Sequence, residues 1–329
     1  MTTQPQTSRP AGVAVEDQLI NGDNDAFKLF LRNKRPIDRP AIGSLLLVHG
    51  ATFPSVSLFD VDVDGISFMD VLARAGIDAW ALDLRGYGGS TRPDAMGAAP
   101  AADTPLVRAT EAASDVARAL SHIRSVRSPD HLGLLGMSWG GSIAGIHASR
   151  HNDLDALILV APLWMSATPL RFDAGAQIMT HRVVDVNAYR AAWLGSAPED
   201  QRGSLLPAGW FERWAEVTEA TDTSAPSGHI RAPSGAVADV REHWTAGKPL
   251  YDPAAITAPT LVIRGAWDVD VRRDMALDLF DRLEGAHDHA YLEISGGTHM
   301  ILTEPARMTA FAQIIAYLRT AFAAKAGRS

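Results

Sequence analysis

Residues 131–151 read HLGLLGMSWGGSIAGIHASRH, and the chain is organised around them. The stretch opens with an apolar run, 131–135, of a length suited to a buried strand. It then turns tightly around Ser138 and continues as a helix rich in small residues. Residues 136–140, Gly-Met-Ser-Trp-Gly, fit the G-x-S-x-G elbow, which sets a serine on a strained strand-to-helix turn with its hydroxyl exposed. A Cβ at Gly136 or Gly140 would collide with the neighbouring helix or strand as the chain reverses. Gly141, Ala144, Gly145 and Ala148 keep one helix face thin enough to lie close on a sheet.

Upstream, residues 27–32 and 44–48 predict strands separated by the turn-rich RNKRPIDRP. His49-Gly50-Ala51-Thr52 follows the second of them directly. Residues 68–75 predict a helix, 78–84 (DAWALDL) a strand, 93–104 a loop and 106–124 a helix. Downstream, residues 154–162 (LDALILVAP) predict another buried strand. Strand and helix then cease to alternate from 163 to about 259, a region holding five of the eight tryptophans: Trp164, Trp193, Trp210, Trp214 and Trp244. Alternation resumes with strand 260–264, helix 271–284, strand 290–294 and a C-terminal helix over 304–324. Such repetition predicts an α/β fold, a mostly parallel sheet with helices on both faces. The expected organisation is a disordered tail over 1–17, a core of 18–162 plus 260–329, and a lid inserted at 163–259.

Composition narrows the function classes. A formal charge of −8 with no basic run argues against nucleic acid or an acidic membrane surface as partner. Zero cysteines exclude disulfides, thiolate catalysis and cysteine-ligated zinc. The N-terminal residues lack an apolar signal region and no apolar run approaches membrane-spanning length, so a soluble, cytoplasmic protein is expected.

A serine hydroxyl is a weak nucleophile at neutral pH and requires a base, which in turn needs an orienting carboxylate. In elbow enzymes these follow the serine in the order acid, then histidine, each on a loop after a strand. Gly265-Ala266-Trp267-Asp268 follows strand 260–264, and Ser295-Gly296-Gly297-Thr298-His299 follows strand 290–294. Asp270 competes for the acid position, but Asp268 keeps a spacing of three from the glycine.

With His49-Gly50, the segment DLRGYGGS (83–90), the elbow and these two loops, the chain resembles the α/β-hydrolase superfamily over roughly 25–325. That resemblance implies Ser138 as nucleophile, Asp268 as acid and His299 as base. It also implies an oxyanion hole built from the backbone N–H groups of Trp139 and Ala51, with Thr52 next in line for the second donor. His49 is expected to orient that loop, and Asp83 and Arg85 to hold a turn together. No cofactor and no metal are expected. The DVDVDG of 60–65 imitates a calcium loop, but its twelfth position is Val71 and it alternates like a strand. His147 and His151, at i and i+4, lack a third ligand and read as an exposed helix end. The 86–91 segment lacks the last glycine of a dinucleotide fingerprint.

A serine at the elbow, where related dehalogenases and epoxide hydrolases carry aspartate, favours acyl chemistry. The expected function is a carboxylic-ester hydrolase acting through an acyl-enzyme on a small, partly apolar or aromatic ester. A lactonase, a C–C bond hydrolase or an acyltransferase are alternatives within the fold, and a ligand-binding receptor with negligible turnover is the alternative from another class. Across HGATFPS, LDLRGYGGSTRP and GMSWGG the chain resembles bacterial esterases that cleave monoalkyl phthalates. The tryptophans of the insertion are expected to line an apolar pocket in part, at least half of them filling the lid's own core. A carboxylate on the substrate would need a cation, for which Arg171, His181, Arg182, His229, Arg231, Arg241 and His243 are candidates.

Overall fold

The structure is a computed structural model that describes residues 12–24, 26–167, 170, 171, 173 and 175–326. In chain order the strands are β1 (Val13–Asn21), β2 (Lys28–Pro36), β3 (Gly43–Val48), β4 (Ile77–Asp83), β5 (Leu132–Met137), β6 (Ala156–Val160), β7 (His181–Asp185), β8 (His229–Pro233), β9 (Thr260–Gly265) and β10 (His289–Ile294). The helices are α1 (Ser55–Phe59), α2 (Phe68–Arg74), α3 (Ala109–Arg127), α4 (Trp139–Arg150), α5 (Tyr189–Ser196), α6 (Arg202–Leu205), α7 (Trp210–Glu219), α8 (Gly235–Asp239), α9 (Arg273–Asp281) and α10 (Arg307–Ala326).

Eight strands form one sheet in the order β1-β2-β4-β3-β5-β6-β9-β10. Only β2 runs against the others, pairing antiparallel with both β1 and β4, so the sheet is mostly parallel as the alternation predicts. Every residue of β3, β5, β6 and β9 is buried, the pattern of strands covered by helices on both faces. The register sets Val48 opposite Gly136, Met137 opposite Val160, Val160 opposite Ile263 and Ile263 opposite Leu292. The loops carrying Ala51, Ser138, Asp268 and His299 therefore leave the same, carboxyl-terminal edge of the sheet, where ligands gather in open parallel sheets. No helix among the described residues is long and apolar enough to cross a membrane.

The N-terminal strands correct two expectations. Residues 13–17, read as tail, belong to β1, which pairs with β2 along its whole length from Val13↔Pro36 to Asn21↔Lys28. As an edge strand β1 has only Val13 buried, and it carries four polar residues, Glu16, Asp17, Gln18 and Asn21, among its nine. The rest of the expected tail, 1–11, lies outside the described residues. The RNKRP segment is likewise strand rather than turn. Two of its charges, Arg32 and Lys34, are buried because they are paired: Lys34 Nζ lies 2.6 Å from Asp60 and 2.7 Å from Asp70, and Arg32 reaches Asp17 at 2.8 Å.

That pairing also disposes of the calcium-like DVDVDG. Asp60 is fully buried beside Lys34 and Arg32, and 63–65 form a 3-10 turn rather than a strand. His147 is not an exposed helix end. It is buried, and its Nε2 lies 3.1 Å from Asp153 Oδ1, a polar partner that permits burial.

Residues 163–259 stand apart from the main sheet. They carry α5–α8 and the antiparallel β7–β8 pair. Four of the segment's tryptophans pack in aromatic clusters of its own residues, Trp193 and Trp214 with Tyr189 and Phe211, and Trp164 and Trp244 with Tyr251, and three of these four also bond the core. Trp214 Nε1 donates to Ser57 O (3.0 Å), Trp164 Nε1 to Asp278 (2.7 Å) and Trp193 Nε1 to Glu304 (2.5 Å). From the other side Trp139 Nε1 donates to Asp239 (3.1 Å). Trp139, Trp164, Trp193 and Trp214 each bury the apolar body of the indole while its N–H finds an acceptor, whereas the buried Trp244 Nε1 has none among the described residues.

Candidate active site

Ser138 is the single residue between β5 and α4, with φ 58° and ψ −122°. A non-glycine residue costs of order 1–3 kcal/mol there, so its surroundings must enforce the conformation. They do so through hydrogen bonds on both sides: Ser138 N–H donates to Val160 O (2.9 Å), and Ser138 O accepts from Gly141 N–H (2.9 Å) and Leu163 N–H (3.1 Å). Glycine is required on either flank. A Cβ on Gly136 would lie 2.2 Å from Gly140 O, and one on Gly140 would lie 2.3 Å from Val48 O.

The loops after β9 and β10 are joined by Ala266 N–H donating to Ile294 O (2.8 Å) and Trp267 N–H donating to Gly297 O (2.8 Å). This places Asp268 against His299, with Nδ1 donating to Oδ2 at 2.9 Å. The other carboxylate oxygen accepts from the N–H groups of Asp270 (2.9 Å) and Val271 (2.8 Å), which fixes its orientation. Burial disfavours the imidazolium, but the Asp268 carboxylate outweighs it and pushes the His299 pKa up to about 9. In the neutral ring, the form that prevails above that pKa, the hydrogen-bond network assigns the proton to Nδ1 and leaves Nε2 as the available nitrogen. Of the two rival aspartates, Asp268 is the one bonded to the histidine.

His49 is buried and neutral. Its Nδ1–H donates to Gly50 O (2.8 Å) and its Nε2 accepts from Leu84 N–H (3.1 Å), and burial holds its pKa below the ordinary value. It orients the loop after β3 and has no proton to exchange with the cavity. Asp83 braces the same region by accepting from Ser55 N–H (2.9 Å) and Gly89 N–H (2.9 Å), while Arg85 pairs with Asp115. The Ala51 carbonyl accepts from Tyr87 OH (2.8 Å) and Arg182 Nη2 (2.5 Å). The Ala51 N–H has no acceptor among the described residues, and Trp139 N–H, first in α4, has no intrahelical one. Trp139 follows Ser138 directly, and Ala51 lines the same cavity as Ser138.

Ser138, His299, Ala51 and Thr52 line a cavity of about 300 Å³. No Ser138–His299 hydrogen bond is formed among the described residues; such bonds commonly tighten only with substrate in place. The 163–259 segment contributes Arg171, Arg182, Val184, Tyr189, Ala192 and Trp193 to the wall. Of the seven cations considered from sequence, only Arg171 and Arg182 line it. Arg231 is engaged by Asp222 at 2.6 Å and Arg241 by Asp173, while His181 is buried against Thr180 and His229 bonds Ser227 O.

Glu304, fully buried, was not visible as a site residue in the sequence, because only the fold carries it to the histidine loop. It accepts from Thr298 N–H (2.7 Å), Trp193 Nε1–H (2.5 Å) and the Thr298 hydroxyl, tying the inserted segment to the residue before His299. Burial pushes its pKa from 4.5 up to about 7 despite those three donors. The native state then retains a proton that the unfolded chain releases, so this contribution to stability is complete below about 4.5 and is lost as pH rises through about 7. Denaturant unfolding of the wild type should show a loss of roughly 3 kcal/mol between pH 4.5 and 7.5 relative to Glu304→Gln, which does not titrate. Parallel profiles for the two proteins would contradict this origin.

Asp268, Asp270 and His299 also bring three ligand-type atoms within 4.8 Å of one another. A cation there would have to displace the Asp268–His299 hydrogen bond, so the donor set suits the proton better than a metal.

A family model described as serine aminopeptidase, S33 (Hydrolase_4) matches residues 43–306. Among solved structures the chain is similar to a serine hydrolase, CCSP0084, from the polyaromatic-hydrocarbon-degrading bacterium Cycloclasticus zankles. The two are 14% identical over 93% of this chain and 98% of that one, with a TM-score of 0.62. It is also similar to an esterase (EaEST) from Exiguobacterium antarcticum (17% identity, 92% and 100% coverage, TM-score 0.60). A third is a putative lipase (lip1) from Acinetobacter baumannii AYE (16%, 93% and 92%, 0.60). At these identities the likeness is one of fold. No curated protein matches the chain.

Proposed function

The chain belongs to the serine aminopeptidase, S33 (Hydrolase_4) family of α/β hydrolases, and from that premise we propose that it is a serine carboxylic-ester hydrolase. The observation that carries this reading is a strained Ser138 sharing one cavity with the Asp268-bonded His299. In the proposed reaction His299 Nε2 takes the Ser138 Oγ proton as Oγ attacks the ester carbonyl. The N–H groups of Ala51 and Trp139 hold the tetrahedral oxyanion, each worth on the order of 10²–10³ in rate. As the C–O bond breaks, His299 returns the proton to the departing alcohol and leaves an acyl-Ser138. Water then attacks with His299 again as base, releasing the acid. Asp268 holds the tautomer and stabilises the imidazolium throughout.

The 163–259 segment acts in this reading as a lid, since it supplies much of the cavity wall. The aromatic and aliphatic lining of Phe53, Leu58, Val184, Tyr189 and Trp193 suits an apolar or aromatic group, and the two lining arginines suit a carboxylate. Together with the resemblance to monoalkyl phthalate esterases, this makes a phthalate monoester the proposed substrate, yielding phthalate and an alcohol.

A rate panel of p-nitrophenyl esters, phthalate monoesters and diesters, lactones and aminoacyl p-nitroanilides tests both levels. Esters should turn over and anilides should not, and the monoester should exceed the diester in kcat/KM by about tenfold or more, since an unpaired carboxylate is costly to bury without a cation. Equal values for monoester and diester would remove the phthalate specificity and leave a general short-chain esterase. Hydrolysis of anilides alone would overturn the esterase reading.

A further inference from the structure

We infer that Arg182 is the anion receptor of the cavity and binds a carboxylate carried on the acyl half of the ester, close to the scissile carbonyl. The inference rests on the ester-hydrolase reading for which half of the substrate is meant. Arg182 projects from β7 onto the loop after β3. Its hydrogen bonds go to neutral acceptors: Ala51 O at 2.5 Å, Thr52 Oγ1 at 3.2 Å and Pro233 O at 3.4 Å. It forms no ion pair with any described carboxylate. The other cavity arginine differs, because Arg171 has Asp270 at 3.9 Å and further bonds to Ser196 and Ala192. Elsewhere in the insertion Arg231, Arg241, Arg213 and Arg190 are each paired with a carboxylate.

A guanidinium partly withdrawn from water without a counter-charge is costly, and its desolvation holds the Arg182 pKa below the ordinary value. A substrate carboxylate would supply the missing charge, and the planar fork is matched to a carboxylate's two oxygens. The position is specific. Arg182 binds the carbonyl of the residue whose N–H is available to the oxyanion, so only one residue's backbone separates the guanidinium from the ester oxygen. A carboxylate reaching it must lie within a few bonds of the ester carbonyl, as in the monoester of a short or ortho-substituted dicarboxylic acid. A carboxylate at the far end of the alcohol would not reach it. Phe53, Val184 and Tyr189 complete an apolar wall for the carbon frame between the two groups.

The test begins with wild type, which is independent of any variant's folding. With p-nitrophenyl butyrate as reporter, phthalate and benzoate should inhibit competitively, and the neutral phthalamide and benzamide should be at least tenfold weaker. Equal inhibition by acid and amide would overturn the proposal. Arg182→Gln, which keeps donors for Ala51 O but removes the charge, and Arg182→Lys, which keeps the charge, are then compared on monobutyl phthalate and p-nitrophenyl butyrate. The monoester-to-neutral ratio of kcat/KM should fall at least tenfold in Gln and far less in Lys, beyond any loss shared by both substrates. Shared loss with an unchanged ratio would make Arg182 only a brace for the oxyanion loop and refute the receptor role. If wild type hydrolyses neither ester, the esterase reading fails by itself. Calorimetric binding of phthalate to wild type, weakened at least tenfold in Arg182→Gln, would then still support the anion site, and equal binding would sink it.

Discussion

Ser138→Ala should lower ester hydrolysis by about 10⁶-fold, the scale on which a protease loses kcat when its triad serine is removed. The expectation follows from local structure. Backbone bonds from Val160, Gly141 and Leu163 hold residue 138 at φ 58° whatever its side chain. An alanine there is as strained as the serine and forfeits no side-chain hydrogen bond that the fold depends on. The melting temperature should therefore stay within a few degrees of wild type while activity disappears. A variant retaining a tenth of the wild-type rate would show that another group attacks the carbonyl.

Asp268→Asn should lower kcat by about 10⁴-fold, the loss seen for the analogous change in a serine protease. An asparagine can still accept through Oδ1 from Asp270 N–H and Val271 N–H, but it then presents an NH₂ to His299 Nδ1. Two donors cannot bond each other, so the imidazole takes the tautomer with its proton on Nε2 and can no longer accept from Ser138. The same change removes the charge that raises the His299 pKa to about 9, so the base should stay neutral to lower pH and the acid limb of the residual kcat/KM profile should move down. Asp270→Asn makes a useful contrast. Asp270 is partly exposed, has no bond to His299 and among the described residues forms an ion pair only with Arg171, at 3.9 Å, so its loss should cost less than about tenfold. The reverse ranking would move the acid by two residues.

Much of the sheet and the proposed catalytic residues were legible because their signals are local. An apolar run too short for a helix, a glycine-flanked serine and a glycine-bearing loop after a strand each carry meaning within a dozen residues. The features that depend on distant partners were not legible. The RNKRP of β2 reads as a turn until Asp60 and Asp70 are found beside Lys34, and β1 reads as tail until β2 is laid against it. Glu304 is an ordinary residue at the head of the last helix until the fold brings Thr298 and Trp193 to its oxygens. Seven cations of the insertion were equivalent in sequence, and pairing distinguishes them. Five lie outside the cavity wall, Arg171 has an acidic neighbour, and Arg182 meets only neutral acceptors. The tryptophans show the same limit from the packing side. Composition predicted an apolar cluster, but not that their N–H groups would fasten the insertion to the core.

The central claim is that Ser138 becomes covalently acylated during turnover. Treatment with a fluorophosphonate followed by intact-mass analysis and peptide mapping tests it without any assumption about substrate. The wild type should gain one adduct per chain, mapped to Ser138, with activity lost in step with labelling, and Ser138→Ala should gain none. An adduct on a different serine, or equal labelling of the alanine variant, would contradict the assignment of the nucleophile and the mechanism built on it.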